Sequence, residues 1–178
     1  NPQWAPLQDA QRAIRIVRQN AEQWNIDGSQ IGVMGFSAGG HLASTLGTHY
    51  NEDTLKGINT DPINSVSARP DFMMLIYPVI TFDKKHYHGG SKNALVGKNA
   101  KQETVDYFSN NLQVTADTPS TFLVHSADDK AVPVANSILF YEALVKQNVP
   151  AEMHLYPEGG HGYSFAIGKG RLQGWTDR

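Results

Sequence analysis

The chain has 178 residues, 40% hydrophobic and 18% charged, which suits a globular domain able to bury a sizeable core. Its formal net charge is -2, and its 15 lysines and arginines are scattered, with no basic run longer than Lys84-Lys85, so nothing argues for nucleic acid as a partner. The absence of cysteine excludes disulfides, thiol catalysis and cysteine-metal sites, and no apolar stretch approaches the length of a membrane span. Ala10, Ala13, Ile14, Val17, Ala21 and Trp24 recur at helical spacing, with Arg12, Arg15, Arg18 and Glu22 on the wet face, which predicts a helix over 6–24. Pro6 suits its first turn, and the Asp27-Gly28 pair ends it. Residues 31–36 read as a first strand and 38–48 as the helix after it. Residues 51–70 are polar and irregular, a surface excursion. Residues 71–77 are largely apolar and predict a second strand buried on both faces. Residues 81–97 read as a loop and 102–108 as a short helix. A third strand over 121–125, a helix over 134–147 and a fourth strand over 152–156 follow, and 172–178 reads as the start of a last helix. Strands that alternate with helices and run continuously apolar predict an α/β chain with a parallel sheet, a single domain over 1–178. No internal repeat or low-complexity linker divides it.

Between the first strand and its helix stands Gly35-Phe36-Ser37-Ala38-Gly39, followed by Gly40. A glycine-bracketed serine between a strand and a helix describes a nucleophile elbow, with Ser37 as the nucleophile. Gly35 and Gly39 are both expected to remove side chains that would collide in so sharp a turn. The Ser37 hydroxyl then stands at the start of a helix whose N-terminus favours negative charge. A nucleotide-binding loop is the rival reading. The glycines do not match Gly-x-Gly-x-x-Gly, and no Gly-Lys-Ser/Thr follows, so neither phosphate-loop signature is met. A serine hydroxyl needs a base to take its proton and a carboxylate to orient that base. In such sheets these groups sit on loops beyond the carboxyl ends of the strands. The third strand runs into His125-Ser126-Ala127-Asp128-Asp129-Lys130-Ala131-Val132-Pro133, which supplies an acid. The fourth runs into Tyr156-Pro157-Glu158-Gly159-Gly160-His161-Gly162, which supplies a histidine flanked by glycines. The chain order is Ser, Asp, His. The pair His86-Tyr87-His88 is too close and too isolated for a zinc site, and no His-Glu-x-x-His is present, so no metal is expected. His125 reads as a packed, hydrogen-bonded histidine at a strand end, His41 as packing beneath the elbow, and Glu158 as loop surface. His49 and His154 carry no motif.

These segments, with Gly40-His41-Leu42-Ala43, Arg69-Pro70-Asp71-Phe72, Tyr77-Pro78-Val79, Val132-Pro133-Val134 and Asn136-Ser137, span nearly the whole chain. Together they resemble the α/β-hydrolase carboxylesterases. The likeness is closest to bacterial serine esterases of the acetyl-xylan-esterase and feruloyl-esterase-like kind, often found beside xylanases. The resemblance implies Ser37 as nucleophile, His161 as general base and acid, an aspartate after the third strand as orienting acid, and the Ala38 N–H as an oxyanion donor. Families of this fold commonly show His-Gly-x-x-Asp-x-x-Val-Pro, a register that selects Asp129; Asp128 stays open as the alternative acid. The implied substrate is a small acyl ester or acylated sugar, with no cofactor, no nucleic acid and no membrane. The family also suggests a secreted or periplasmic protein, although Asn1-Pro2-Gln3-Trp4 does not read as a signal peptide. The family's early strands, and the His-Gly-Gly-Gly-type loop that brings a second oxyanion donor, have no counterpart here. The expectation is therefore a partial α/β-hydrolase domain lacking its N-terminal strands, whose exposed sheet edge favours self-association. Two other readings stay open. One is a prolyl-oligopeptidase-like serine peptidase, a group in which an aromatic residue tends to follow the serine, where this chain has Ala38. The other is a non-catalytic, truncated hydrolase module that binds a partner.

Overall fold

The computed structural model describes residues 2–54 and 61–177; residues 55–60 of the expected surface excursion lie outside the described residues, as do Asn1 and Arg178. Helix α1 (Ala5–Gln19) begins with Pro6 in its first turn and buries Leu7, Gln11 and Ile14. It ends earlier than its apolar spacing suggests. Residues 20–25 continue as turns, and the chain leaves through Asn25 at φ 54, with the Ile26 N–H donating to the Ala21 carbonyl. Asparagine tolerates that left-handed conformation better than most residues. Trp24 is consequently thrown outward, 49% exposed, instead of joining the apolar face.

Among the described residues four parallel strands follow, β1 (Gly32–Phe36), β2 (Phe72–Ile76), β3 (Ser120–Ser126) and β4 (Ala151–Tyr156), in the spatial order β1-β2-β3-β4. Each pairs only with its sequence neighbours, so all four carboxyl ends lie along one rim. Phe36 is level with Ile76, Ile76 with Val124, and Ser126 with Tyr156. Between the strands lie helices α2 (Ala38–His49), α3 (Gly89–Val96), α4 (Gln102–Tyr107) and α5 (Ala135–Lys146), and a 3-10 segment (Gly170–Asp177) stands where a last helix was expected.

The two sheet faces differ. Met73, Leu75 and Leu123 point to one side, where Ala43 of α2 and Phe140 and Leu144 of α5 cover them. Ile76 and Val124 point to the other, where Tyr163, Leu172 and Trp175 from the segment after β4 close over their carboxyl ends. That cover is incomplete. Phe72, at the amino end of β2, and Met34, in the middle of β1, remain 39% and 42% exposed, so β2 is not buried on both faces as its composition suggests. The expected loop over 81–97 also differs, since it contains α3. This helix is capped by His88, whose Nδ1 accepts the Ser91 N–H. The segment before it is held by buried Asn136, whose Oδ1 accepts the Ile80 and Thr81 N–H groups.

Candidate active site

The chain enters the site at the end of β1. Ser37 adopts φ 53 and ψ -119, a strained conformation for a residue with a Cβ. Backbone bonds fix it there: its N–H donates to the Ile76 carbonyl, and its own carbonyl accepts from Val79 N–H at 3.0 Å. The turn is possible because Gly35 lies against the Gly39 carbonyl, where a Cβ would overlap backbone. The second expected requirement is corrected. A Cβ on Gly39 would meet nothing within 4 Å, whereas one on Gly40 would press on Pro78. The helix that leaves the turn packs against the segment after β2, so its crowded position is Gly40 rather than Gly39. Ala38, an exposed residue, is the first of α2, and its N–H has no acceptor within the helix.

His161 arrives on the loop after β4. Its Nε2 lies 2.8 Å from Ser37 Oγ, and its Nδ1 lies 2.6 Å from Asp129 Oδ2. The structure thus brings Ser37, His161 and Asp129 into one chain of hydrogen bonds along the carboxyl rim. Asp129 is fully buried at its side chain, while His161 keeps 25% of its side-chain surface. Burial alone would raise the Asp129 carboxyl. The Val132 N–H, His161 and the Ala131 N–H outweigh it and hold the group below the usual carboxylate range. An ionised acceptor beside Nδ1 keeps the proton on that nitrogen and leaves Nε2 free to accept one from Ser37.

Asp128 sits elsewhere. It is exposed, and its Oδ1 accepts the Gly160 N–H at 2.8 Å, tying the aspartate loop to the histidine loop. Gly160 holds φ 61, and Gly159 lies so close to Ser126 that a Cβ there would overlap its hydroxyl. His41 is buried beneath the elbow and stacks on Phe82 at 4.6 Å. Its Nε2 donates to the Phe108 carbonyl, and burial depresses its pKa to about 4, so it is a neutral structural group. A cavity of about 610 Å³ reaches the site at Ala38 and Gly39 and is lined largely by apolar groups, among them Leu42, Phe82, Leu95 and Phe108. His86, His88 and His154 take no part in the Ser37–His161–Asp129 chain.

Two neighbours of the site were not singled out as site residues in the sequence. Tyr77, at φ 39, sets its ring edge-on to His161 at 4.8 Å, and its hydroxyl accepts the Ser164 N–H. The one signal in the sequence was its place before Pro78 at a strand end. The other is His125, whose Nε2 lies 3.2 Å from Asp129 Oδ2. A histidine ending an apolar strand gives no hint of where its ring points.

Comparison with known proteins places the chain in a family. The BD-FAE family profile matches residues 2–144. The chain is 40% identical over 171 residues to endo-1,4-beta-xylanase B of Butyrivibrio fibrisolvens, covering 96% of this chain and 26% of that protein. It is 33% identical over 164 residues to an acetylxylan esterase of Xylanibacter ruminicola, covering 90% of this chain and 31% of that protein. The chain therefore spans between a quarter and a third of the length of these relatives. Among solved structures, an acetyl ester-xyloside bifunctional hydrolase from Caldicellulosiruptor lactoaceticus superposes with a TM-score of 0.91 at 48% identity, over 97% of this chain and 62% of that one. The fold is that of the α/β-hydrolases.

Proposed function

We propose that this chain, which belongs to the BD-FAE family, carries the catalytic residues of a serine esterase that removes small acyl groups from carbohydrate esters. The observation that carries the reading is the continuous hydrogen-bonded line from Ser37 Oγ through His161 to buried Asp129. On this reading His161 Nε2 takes the Ser37 proton as the hydroxyl oxygen attacks the ester carbonyl. Asp129 holds the imidazole in the required tautomer and stabilises it once it is charged. The Ala38 N–H, at the positive end of α2, donates to the developing oxyanion. The alcohol leaves with the proton from His161, and the acyl group remains on Ser37. Water then attacks the acyl carbonyl and gives a proton to His161; the acyl–Oγ bond breaks, His161 returns the proton to Ser37 Oγ, and the acid is released. The strained backbone of Ser37 supports the same reading, because it lifts the hydroxyl clear of the sheet.

The substrate class rests on likeness. The relatives above are, by name, a xylanase, an acetylxylan esterase and an acetyl ester-xyloside hydrolase. An acetyl ester is named for the last two, and an acetyl group on a sugar is the substrate proposed here. The test is reaction with a fluorophosphonate probe, followed by peptide mass mapping, together with hydrolysis of 4-nitrophenyl acetate. The label is expected on Ser37, and Ser37→Ala should abolish both labelling and hydrolysis. A label on another serine, or undiminished hydrolysis by Ser37→Ala, would sink the assignment.

A further inference from the structure

Asp129 does not answer to His161 alone. Its Oδ1 accepts the backbone N–H groups of Ala131 and Val132, both at 2.9 Å. Its Oδ2 accepts from two imidazoles, His161 Nδ1 at 2.6 Å and His125 Nε2 at 3.2 Å. His125 is 0% exposed, near the end of β3, and does not touch Ser37. Its protonation follows from its partners. Nε2 faces two acceptors, the Asp129 carboxylate and the Val132 carbonyl at 3.1 Å, so it carries the proton. Burial lowers the pKa of the ring against the pull of Asp129, which makes it neutral and leaves Nδ1 a bare acceptor. The Ser137 hydroxyl, in the first turn of α5, donates to that nitrogen at 2.8 Å. The opposite tautomer would set a bare nitrogen against both a carboxylate and a carbonyl.

Bonds to Oδ1 alone anchor one oxygen of the carboxylate and leave Oδ2 able to pivot around it by coupled rotation about Cα–Cβ and Cβ–Cγ. His161 cannot stop that pivot reliably, because it stands on a partly exposed loop. His125 can, because its ring is buried at a strand end and pinned by α5. We propose that His125 is a positioning residue for the reaction: it locks the Asp129 carboxylate and, by sharing Oδ2, sets how tightly Asp129 holds the Nδ1–H of His161. The inference rests on the reading of Ser37, His161 and Asp129 as the catalytic chain. An Oδ2 relieved of one donor is more basic and binds its remaining donor more strongly. Among the described residues, the other titratable groups that feel Asp129 are Tyr77, just after β2, and Tyr163, after β4. Burial pushes both phenols up, so both stay neutral where His161 works. Asp128 and Lys130 flank Asp129 in its loop, and Asp128 is turned to the Gly160 N–H.

The experiment compares the wild-type protein with His125→Phe, His125→Gln and Ser137→Ala. The readouts are the rate of Ser37 labelling by a fluorophosphonate as a function of pH and the downfield NMR resonance of the His161 Nδ1–H. His125→Phe keeps a ring but removes the donor. It is expected to slow labelling roughly 10- to 100-fold, the scale of a small misplacement of a catalytic group. It should also move the acid-side midpoint of the pH profile upward and shift the resonance. His125→Gln, whose amide reaches about as far as Nε2, should restore most of the rate and the midpoint. Ser137→Ala unpins the ring and should give a smaller change in the same direction. A folded His125→Phe with wild-type rate, midpoint and resonance overturns the inference, as does a loss that glutamine does not relieve. Should His125→Phe lack a cooperative melt, Ser137→Ala decides, and wild-type values in it overturn the inference. An unreactive Ser37 in the wild type would instead count against the proposed reaction, while the resonance would still report whether His125 acts on the Asp129–His161 pair.

Discussion

Asp128 and Asp129 are adjacent carboxylates with opposite fates. The fully buried Asp129 side chain accepts the His161 Nδ1–H, while exposed Asp128 accepts a backbone N–H from Gly160. Asp129→Asn should therefore cut turnover of an acetate ester by up to about 10⁴-fold, since an amide can present its N–H to Nδ1 and favour the wrong tautomer. Asp128→Asn keeps an Oδ1 acceptor for Gly160 and should stay within a few-fold of wild type. Steady-state kinetics on the two variants check the pair, and the reverse order would move the orienting role to Asp128. The buried histidines give a second expectation. His41 is held at about 4, against an ordinary 6.5 in the unfolded chain. The unfolded chain thus binds a proton that the folded protein refuses. The stability it contributes is complete above the unfolded value and falls as pH drops from about 6.5 to about 4, by on the order of 3 kcal/mol. His49 and His125 are lowered too and act in the same sense. The Asp129 carboxyl, also held down, adds its share at lower pH, lost as pH falls through its folded value. His41→Gln keeps a donor for the Phe108 carbonyl but cannot titrate, so urea midpoints should depend less steeply on pH in this range; equal slopes would show His41 to be accessible. Much of the site was legible because motif register is a local property of sequence: Ser37, His161 and both aspartates stand out from their spacing. His125 and Tyr77 were not legible as neighbours of the site, because a ring direction at a strand end is decided by what packs on it.

At the level of the elements, the elbow shows how little of a motif can be sterically required. A Cβ at Gly35 would meet the Gly39 carbonyl, and backbone cannot step aside as a flexible side chain can. A Cβ at Gly39 would meet open space. Gly35→Ala is expected to destabilise by about 2 kcal/mol or more. Gly39→Ala should be neutral or stabilising by up to about 1 kcal/mol, because alanine is the better helix former at the start of α2. Thermal melts of the two variants check the contrast, and equal losses would mean that Gly39 is held by something other than the turn. The four strands and the helices α2, α4 and α5 were legible to within a residue or two, because each is a run of apolar or periodic residues bounded by turn chemistry. α3 was not. It opens with Gly89-Gly90, buries no residue of its own and is capped by a histidine, so neither periodicity nor a familiar cap announces it. The overlong reading of α1 has a different cause. Ala21 is buried and fits the helical spacing, but it packs from a turn and not from a helix.

For the molecule as a whole, the unequal covering of the sheet decides how the site is held. Ser37 and Asp129 stand on segments fixed by the strongly buried side, where α2 and α5 close over β1 to β4. His161 belongs to the segment that follows the last strand, and this segment grips the other face through Tyr163, Ala166, Leu172 and Trp175. Trp175 is 2% exposed, stacks on Phe165 at 5.9 Å, and donates from Nε1 to the Ser164 carbonyl at 3.3 Å. Tyr77 adds one more tie through the Ser164 N–H. A segment held by one apolar patch and a few hydrogen bonds can open without the sheet, at a lower free energy than global unfolding. Trp175→Ala should therefore loosen 161–177 more than it lowers overall stability. Truncating a buried tryptophan costs about 3 to 5 kcal/mol where the residue belongs to the global core. Here the expected result is faster amide exchange across 161–177, nearly unchanged exchange in β2 and β3, and a fall in acetate-ester turnover as His161 spends less time beside Ser37. Hydrogen exchange followed by mass spectrometry, read beside the kinetics, separates the cases. Equal acceleration in β2 and β3 would show that the covering segment and the sheet unfold as one unit, and that the site has no separately mobile half.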